Sequence, residues 1–146
     1  MPFATASAPS VPLGTAPSAL PVAASAPASP SWASSSVSAV EFSGGRAVPC
    51  RFARTFRERL RGLLATRPGY LAGGVLCLEP CSSVHTFGMG YPIDVAFLDE
   101  CGIVIAARRR VGPCRMLGVP HAACVLERPS DGSPWLLAGD VVRFLA

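Results

Sequence analysis

Apolar positions follow strand and helix rhythms after residue 46 and follow neither before it. Runs rich in Val, Ile, Leu and Phe span Ala47 to Ala53, Val75 to Glu79, Ser83 to Met89, Ile93 to Leu98, Ile103 to Arg110, Ala122 to Glu127 and Val141 to Leu145. Their length and β-branched content predict strands. Gly73-Gly74, Pro80, Gly90-Tyr-Pro92 and a loop from Gly112-Pro113 to Pro120 separate them. Asp99-Glu-Cys-Gly102 has hairpin length, with Gly where positive φ is needed. One helix interrupts the series. Thr55 and Glu58 form a T-x-x-E capping box, and Phe56, Leu60, Leu63 and Leu64 then share one apolar face before Pro68-Gly69 ends it. Ser133-Pro134 reads as an N-cap with Pro at N1, opening a one-turn helix in which Trp135, Leu136 and Leu137 plug the core. The prediction is a mainly β domain with one or two short helices, a small β-barrel or jelly-roll-like sandwich over residues 46–146.

Strand alternation assigns faces. His85, Phe87 and Met89 point one way, and Val84, Thr86 and Gly88 the other. In the next strand Ile93, Val95 and Phe97 oppose Asp94, Ala96 and Leu98. Both faces of that strand are nearly apolar, so it is expected to be central and covered on both sides. Asp94 is the anomaly. A carboxylate in a buried strand must be paired, hydrogen-bonded or lining a cavity.

Composition divides the chain. Residues 1–45 hold 7 Pro, 11 Ala and 11 Ser, and Glu41 is their only charge. Such a segment buries too little apolar surface to offset its ordering entropy, so it reads as a disordered tail. It lacks the basic start and continuous apolar run of an export signal, and no run reaches the roughly 18 apolar residues of a membrane helix. The expectation is a cytoplasmic protein. The sharp change of composition also suggests a GTG start at Val37 or Val40, which would leave most of the tail untranslated.

Charge and motifs narrow the chemistry. All 13 basic residues are Arg, from Arg46 onward. The run Arg108-Arg-Arg110 has no interleaved aromatics, so nucleic acid is disfavoured as a partner and an edge-protecting role preferred. Six cysteines occur without a Cys-x-x-Cys pair, which favours free thiols. Cys77, Cys81, His85 and Met89 would share a face of one strand. Residues four apart in a strand lie about 13 Å apart, however, too far for one metal ion unless Pro80 folds the chain or Cys114 and His121 join. No metal and no cofactor are therefore expected. There is no nucleophile elbow, phosphate loop, zinc-protease motif or dinucleotide fingerprint. Catalysis would rest on a His85–Asp94 pair or a Cys81 thiol beside His85. The preferred reading is a binding domain for a small ligand or partner protein, its pocket lined by His85, Phe87, Met89, Tyr91 and Asp94 at the Gly90-Tyr-Pro92 corner. A structural role for His85 and Asp94 is the alternative.

The segments Leu60-Arg-Gly-Leu-Leu64, Cys81-Ser-Ser-Val-His-Thr-Phe-Gly-Met89, Pro92-Ile-Asp-Val-Ala-Phe-Leu-Asp99, Gly102, Val125-Leu-Glu127 and Gly139-Asp-Val141 together resemble the bacterial and archaeal family called domain of unknown function 192. The resemblance covers about residues 48–146. It implies a compact β-barrel or jelly-roll-like domain and assigns no activity. Many relatives carry an aromatic-Met-Lys-Asn turn where this chain reads Thr86-Phe-Gly-Met-Gly-Tyr, so a Lys and an Asn are missing from that corner.

Overall fold

A computed structural model describes residues 38–146. The strands, in chain order, are β1 (Ala39–Phe42), β2 (Arg46–Ala53), β3 (Val75–Leu78), β4 (Ser83–His85), β5 (Ile93–Leu98), β6 (Val104–Val111), β7 (Met116–Gly118), β8 (Cys124–Pro129) and β9 (Arg143–Leu145). The helix α1 (Phe56–Arg61) follows β2, and a 3-10 turn covers Pro68–Leu71. Seven strands form one curled, half-barrel sheet in the order β6-β5-β8-β3-β2-β1-β9, and β4 and β7 form a small second sheet. The β2–β3 pair is parallel, and the other named pairs are antiparallel. The curl brings Ile103 onto Val141, linking the starts of the two edge strands. No helix among the described residues is long and apolar enough to cross a membrane.

Alternation sorts the core into two clusters, one on each face of the sheet. Cys50, Val75, Cys77, Ala96, Leu98, Cys124 and Leu126 pack with Trp135 and Leu136. Ala53, Leu76, Leu78, Ile93, Val95, Phe97 and Val125 pack with Leu63, Val84 and Met89 on the other face. All six residues of β5 are buried, as its apolar run on both faces predicts. The thiols of Cys50, Cys77 and Cys124 meet in the first cluster, where hydrogen bonds with Cys124 and Cys50, together with burial, push the Cys77 thiol up.

Asp94 and Arg128 sit directly opposite each other on β5 and β8. Arg128 Nε donates to Asp94 Oδ2 at 3.0 Å, and Nη2 lies 2.9 Å from the same oxygen in an ion pair. The other carboxylate oxygen accepts from the Ser130 hydroxyl and from the Arg110 amide at 2.9 Å. That amide is free because the β5–β6 register slips between Ile93 and Val95, a bulge that places extra β6 residues opposite Asp94. Arg128 also bonds the Ser133 hydroxyl and the Ser133 and Pro134 carbonyls, and lies 4.5 Å over the Trp135 ring. A charge pair this deep must be fully bonded to be tolerated, and this one is.

Several expectations are corrected. The tail does not reach residue 45. Residues 39–42 form β1, whose Val40 is wholly buried and whose Phe42 meets Trp135 edge-on at 5.8 Å. The tail reading for residues 1–37, and with it the start-codon question, lies outside the described residues. The helix after the confirmed Thr55–Glu58 capping box ends at Arg61, not at Pro68, because Gly62 turns to φ 48° and returns its amide to the Glu58 carbonyl. Pro68 instead opens the 3-10 turn. No helix forms at Ser133: Arg128 takes the carbonyls such a turn would use, and Leu137 is exposed while Trp135 and Leu136 are buried. The strand begun at Ser83 stops at His85, and the loop after Pro113 contains β7, its partner.

Removing one member of the buried pair leaves a charge stranded. Asp94→Ala is expected to cost about 3–5 kcal/mol in urea denaturation, whereas the paired change Asp94→Leu/Arg128→Met should recover most of that loss.

Candidate functional site

On the helix side of the sheet an open cleft of about 320 Å³ lies between α1, the Pro80–His85 segment and the sheet. Leu63, Leu78, Val84, Met89 and Ile93 give its walls apolar surface, and Arg59, Arg61, Ser82 and Ser83 also line it. Phe56, Leu60 and Met116 stand at its mouth, 70%, 54% and 72% exposed. The apolar stripe of α1 thus covers no core. Beyond the helix end, Leu63 is buried and the half-buried Leu64 packs against the core, as the periodicity predicts.

The floor carries Glu127. It follows Val125 by two on β8, so alternation aims it at the cleft side while its neighbour Arg128 goes to the other face. Its cross-strand neighbours are Leu76 and Val95, neither of which offers a polar group. One carboxylate oxygen accepts from the Leu63 amide, while Oε2 has no hydrogen-bond partner. Gly62 makes this approach feasible: a Cβ there would lie 3.0 Å from Oε2. Burial pushes the Glu127 carboxyl up to about 7, against a smaller opposing effect of the Leu63 amide.

His85 lines the same cleft. Its Nδ1 is buried without a hydrogen-bond partner, and its ring stacks on Phe87 with centroids 5.5 Å apart. Cys81, also in the lining, donates its thiol proton to the Ser83 carbonyl at 3.0 Å. Burial pushes that thiol up, which favours its protonated form. Arg59 is tied back to the carbonyls of Arg54 and Glu79. Glu127 enters none of the ion pairs formed among the described residues.

Of the residues singled out from sequence, His85 and Met89 share the cleft. Phe87 reaches it only through the His85 ring, and is itself half exposed. The Tyr91 hydroxyl is spent on Thr66, at 2.6 Å, and on the Leu63 carbonyl, bracing the turn behind the cleft wall. Asp94 is not brought to His85; it lies on the opposite sheet face, bonded to Arg128. Parity beyond His85 breaks because Thr86 is buried, its hydroxyl donating to Gly112, and Gly88 adopts φ 77°. Glu127 was not singled out, although it shows the same signal as Asp94, a carboxylate within an apolar strand run. No group of three or more His, Cys, Asp or Glu among the described residues is disposed to hold a metal ion.

The profile of the DUF192 family, described as "Uncharacterized ACR", matches residues 39–137. The chain belongs to that family. Two solved structures share the fold. A protein of unknown function from Novosphingobium aromaticivorans aligns with TM-score 0.62 at 20% identity, over 73% of this chain and 84% of its own. A protein described as a "putative transcription regulator" from Sinorhizobium meliloti aligns with TM-score 0.59 at 16% identity, over 73% of this chain and 90% of its own. Comparison with curated proteins gives no match.

A carboxyl with its ordinary 4.5 raised to about 7 makes folding take up a proton between those values. Stability should therefore fall as pH rises through this window, by about 1.4 kcal/mol per pH unit at most. Glu127→Gln removes the effect. The variant is expected to match the wild type near pH 4.5 and to exceed it by about 3 kcal/mol at pH 8, measured by urea denaturation at each pH.

Proposed function

We propose that this domain is a binding module for a small ligand, seated in the cleft between α1 and the Pro80–His85 segment. The observation that carries the reading is Glu127 Oε2, a buried carboxylate oxygen left without a partner on the floor of an open, apolar cleft. Buried polar atoms are nearly always satisfied, and an exception inside a cleft points to a missing partner. The walls supply what small-ligand sites use: apolar surface with a few convergent polar groups. The exposed Phe56, Leu60 and Met116 add apolar area that the described residues leave uncovered.

An enzymatic reading has less support. Asp94 is committed to Arg128, and burial favours the protonated form of Cys81. Nucleic acid as a partner finds little support either. The three arginines of β6 lie on an edge strand, and Arg109 is engaged by the Gly132 and Ser133 carbonyls.

Met89 and Met116 both line the cleft, one buried and one at the mouth, so their methyl groups report occupancy. In protein labelled with 13C at methionine methyls, fragments that bind should shift both signals together. Leu60→Arg, a change at an exposed position, should abolish those shifts and leave the spectrum of the free fold intact. Hits that leave both methyl signals unmoved would sink the reading.

A further inference from the structure

We propose that the group anchoring the ligand in this cleft is a protonated primary amine, carried on an apolar body and held by Glu127 and His85. The inference rests on the binding reading above and names the chemistry of its ligand. Two residues of the cleft lining each hold one buried polar atom without a partner, Glu127 Oε2 and His85 Nδ1. The carboxylate accepts only, and Nδ1 accepts when the imidazole carries its proton on Nε2. A single group that satisfies both must donate at least twice.

Charge narrows the choice further. The fold has already stripped water from Glu127 without giving it a cation, and burial holds its carboxyl up for that reason. A ligand cation restores the missing charge, and a charge-assisted hydrogen bond is about twice as strong as a neutral one. An anionic head would meet the buried carboxylate, while Arg59 in the same lining is held by backbone carbonyls. A hydroxyl has one proton to give and no charge to offer. An ammonium group has three donors and a compact charge, and it does not need the planar, forked set of acceptors that suits a guanidinium.

Arg59 and Arg61 also line the cleft, but among the described residues neither pairs with Glu127. Arg59 is held by backbone carbonyls, and Arg61 turns its Nε to the Leu64 carbonyl at 3.5 Å on the exposed side. The body of the ligand follows from the walls. Beyond the polar floor the cleft offers Leu63, Val84 and Met89, then Leu60 and Met116 at the mouth. Its volume of about 320 Å³ takes a whole small molecule, so we commit to a free amine over a lysine side chain borne by a protein.

The test is a matched series on the full-length protein at pH 8, read by methionine-methyl NMR titration. The probes are hexylamine, hexan-1-ol, hexanoate and Nα-acetyl-lysine methylamide. Hexylamine should bind at least tenfold tighter than hexan-1-ol, and hexanoate should not bind. Glu127→Gln should weaken hexylamine at least tenfold and leave hexan-1-ol unchanged. His85→Phe should weaken hexylamine less. If hexan-1-ol binds wild type as tightly as hexylamine, the amine anchor is wrong while the cleft remains a binding site. A preference for hexanoate overturns the anchor equally. If the lysine derivative binds tighter than hexylamine, the free-amine assignment fails in favour of a protein partner. If no probe moves Met89 or Met116, both the anchor and the binding reading fall.

Discussion

Strand β8 is buried on both faces, and it carries two ionisable residues in succession, Glu127 and Arg128. Alternation sends them to opposite sides of the sheet. Each must therefore find its own partner in a medium where an unpaired charge is costly. Arg128 finds Asp94, its direct neighbour on β5, and adds a hydroxyl, two carbonyls and an indole face. Glu127 finds one amide and nothing for its second oxygen. The asymmetry between these adjacent residues separates the structural side of the sheet from the side with a site.

The satisfied side explains the loop after β8. Ser133, Pro134 and Trp135 are arranged around the guanidinium, and the Trp135 indole returns a hydrogen bond to the Val95 carbonyl on β5. That knot fixes the two central strands in register. The unsatisfied side depends on it, because the same register places Glu127 between Leu76 and Val95 with no polar neighbour. Gly62 then lets the end of α1 close over the carboxylate, and Tyr91 braces the turn through Thr66 and Leu63. A short helix with its apolar residues facing outward is poorly explained as a core element. It is well explained as one wall of a cleft.

Much of this architecture was legible in the chain. The covered strand Ile93–Leu98, the Thr55–Glu58 box and the Asp99–Gly102 hairpin all rest on local patterns, and each forms as expected. Asp94 was visible as a carboxylate that needs a partner. Its partner was not, because Arg128 is distant in sequence and only register joins them. β1 and β7 were missed since three or four residues carry too little periodicity to separate from loop. The site was half legible. His85 and Met89 fall in the cleft, but strand parity failed beyond His85, where Thr86 and Gly88 bend the chain. Glu127 sat at the end of its apolar run, where a charged residue usually marks a strand leaving the core.

The cleft side of the sheet depends on Glu127 being desolvated and uncompensated. A 13C-detected NMR titration of selectively labelled glutamate carboxyls, with Glu127→Gln to assign the signal, observes this directly in the folded protein. The expected midpoint for Glu127 is about 7. A midpoint at its ordinary 4.5 or below would mean that water or a cation already reaches the carboxylate, and would contradict a desolvated, uncompensated Glu127.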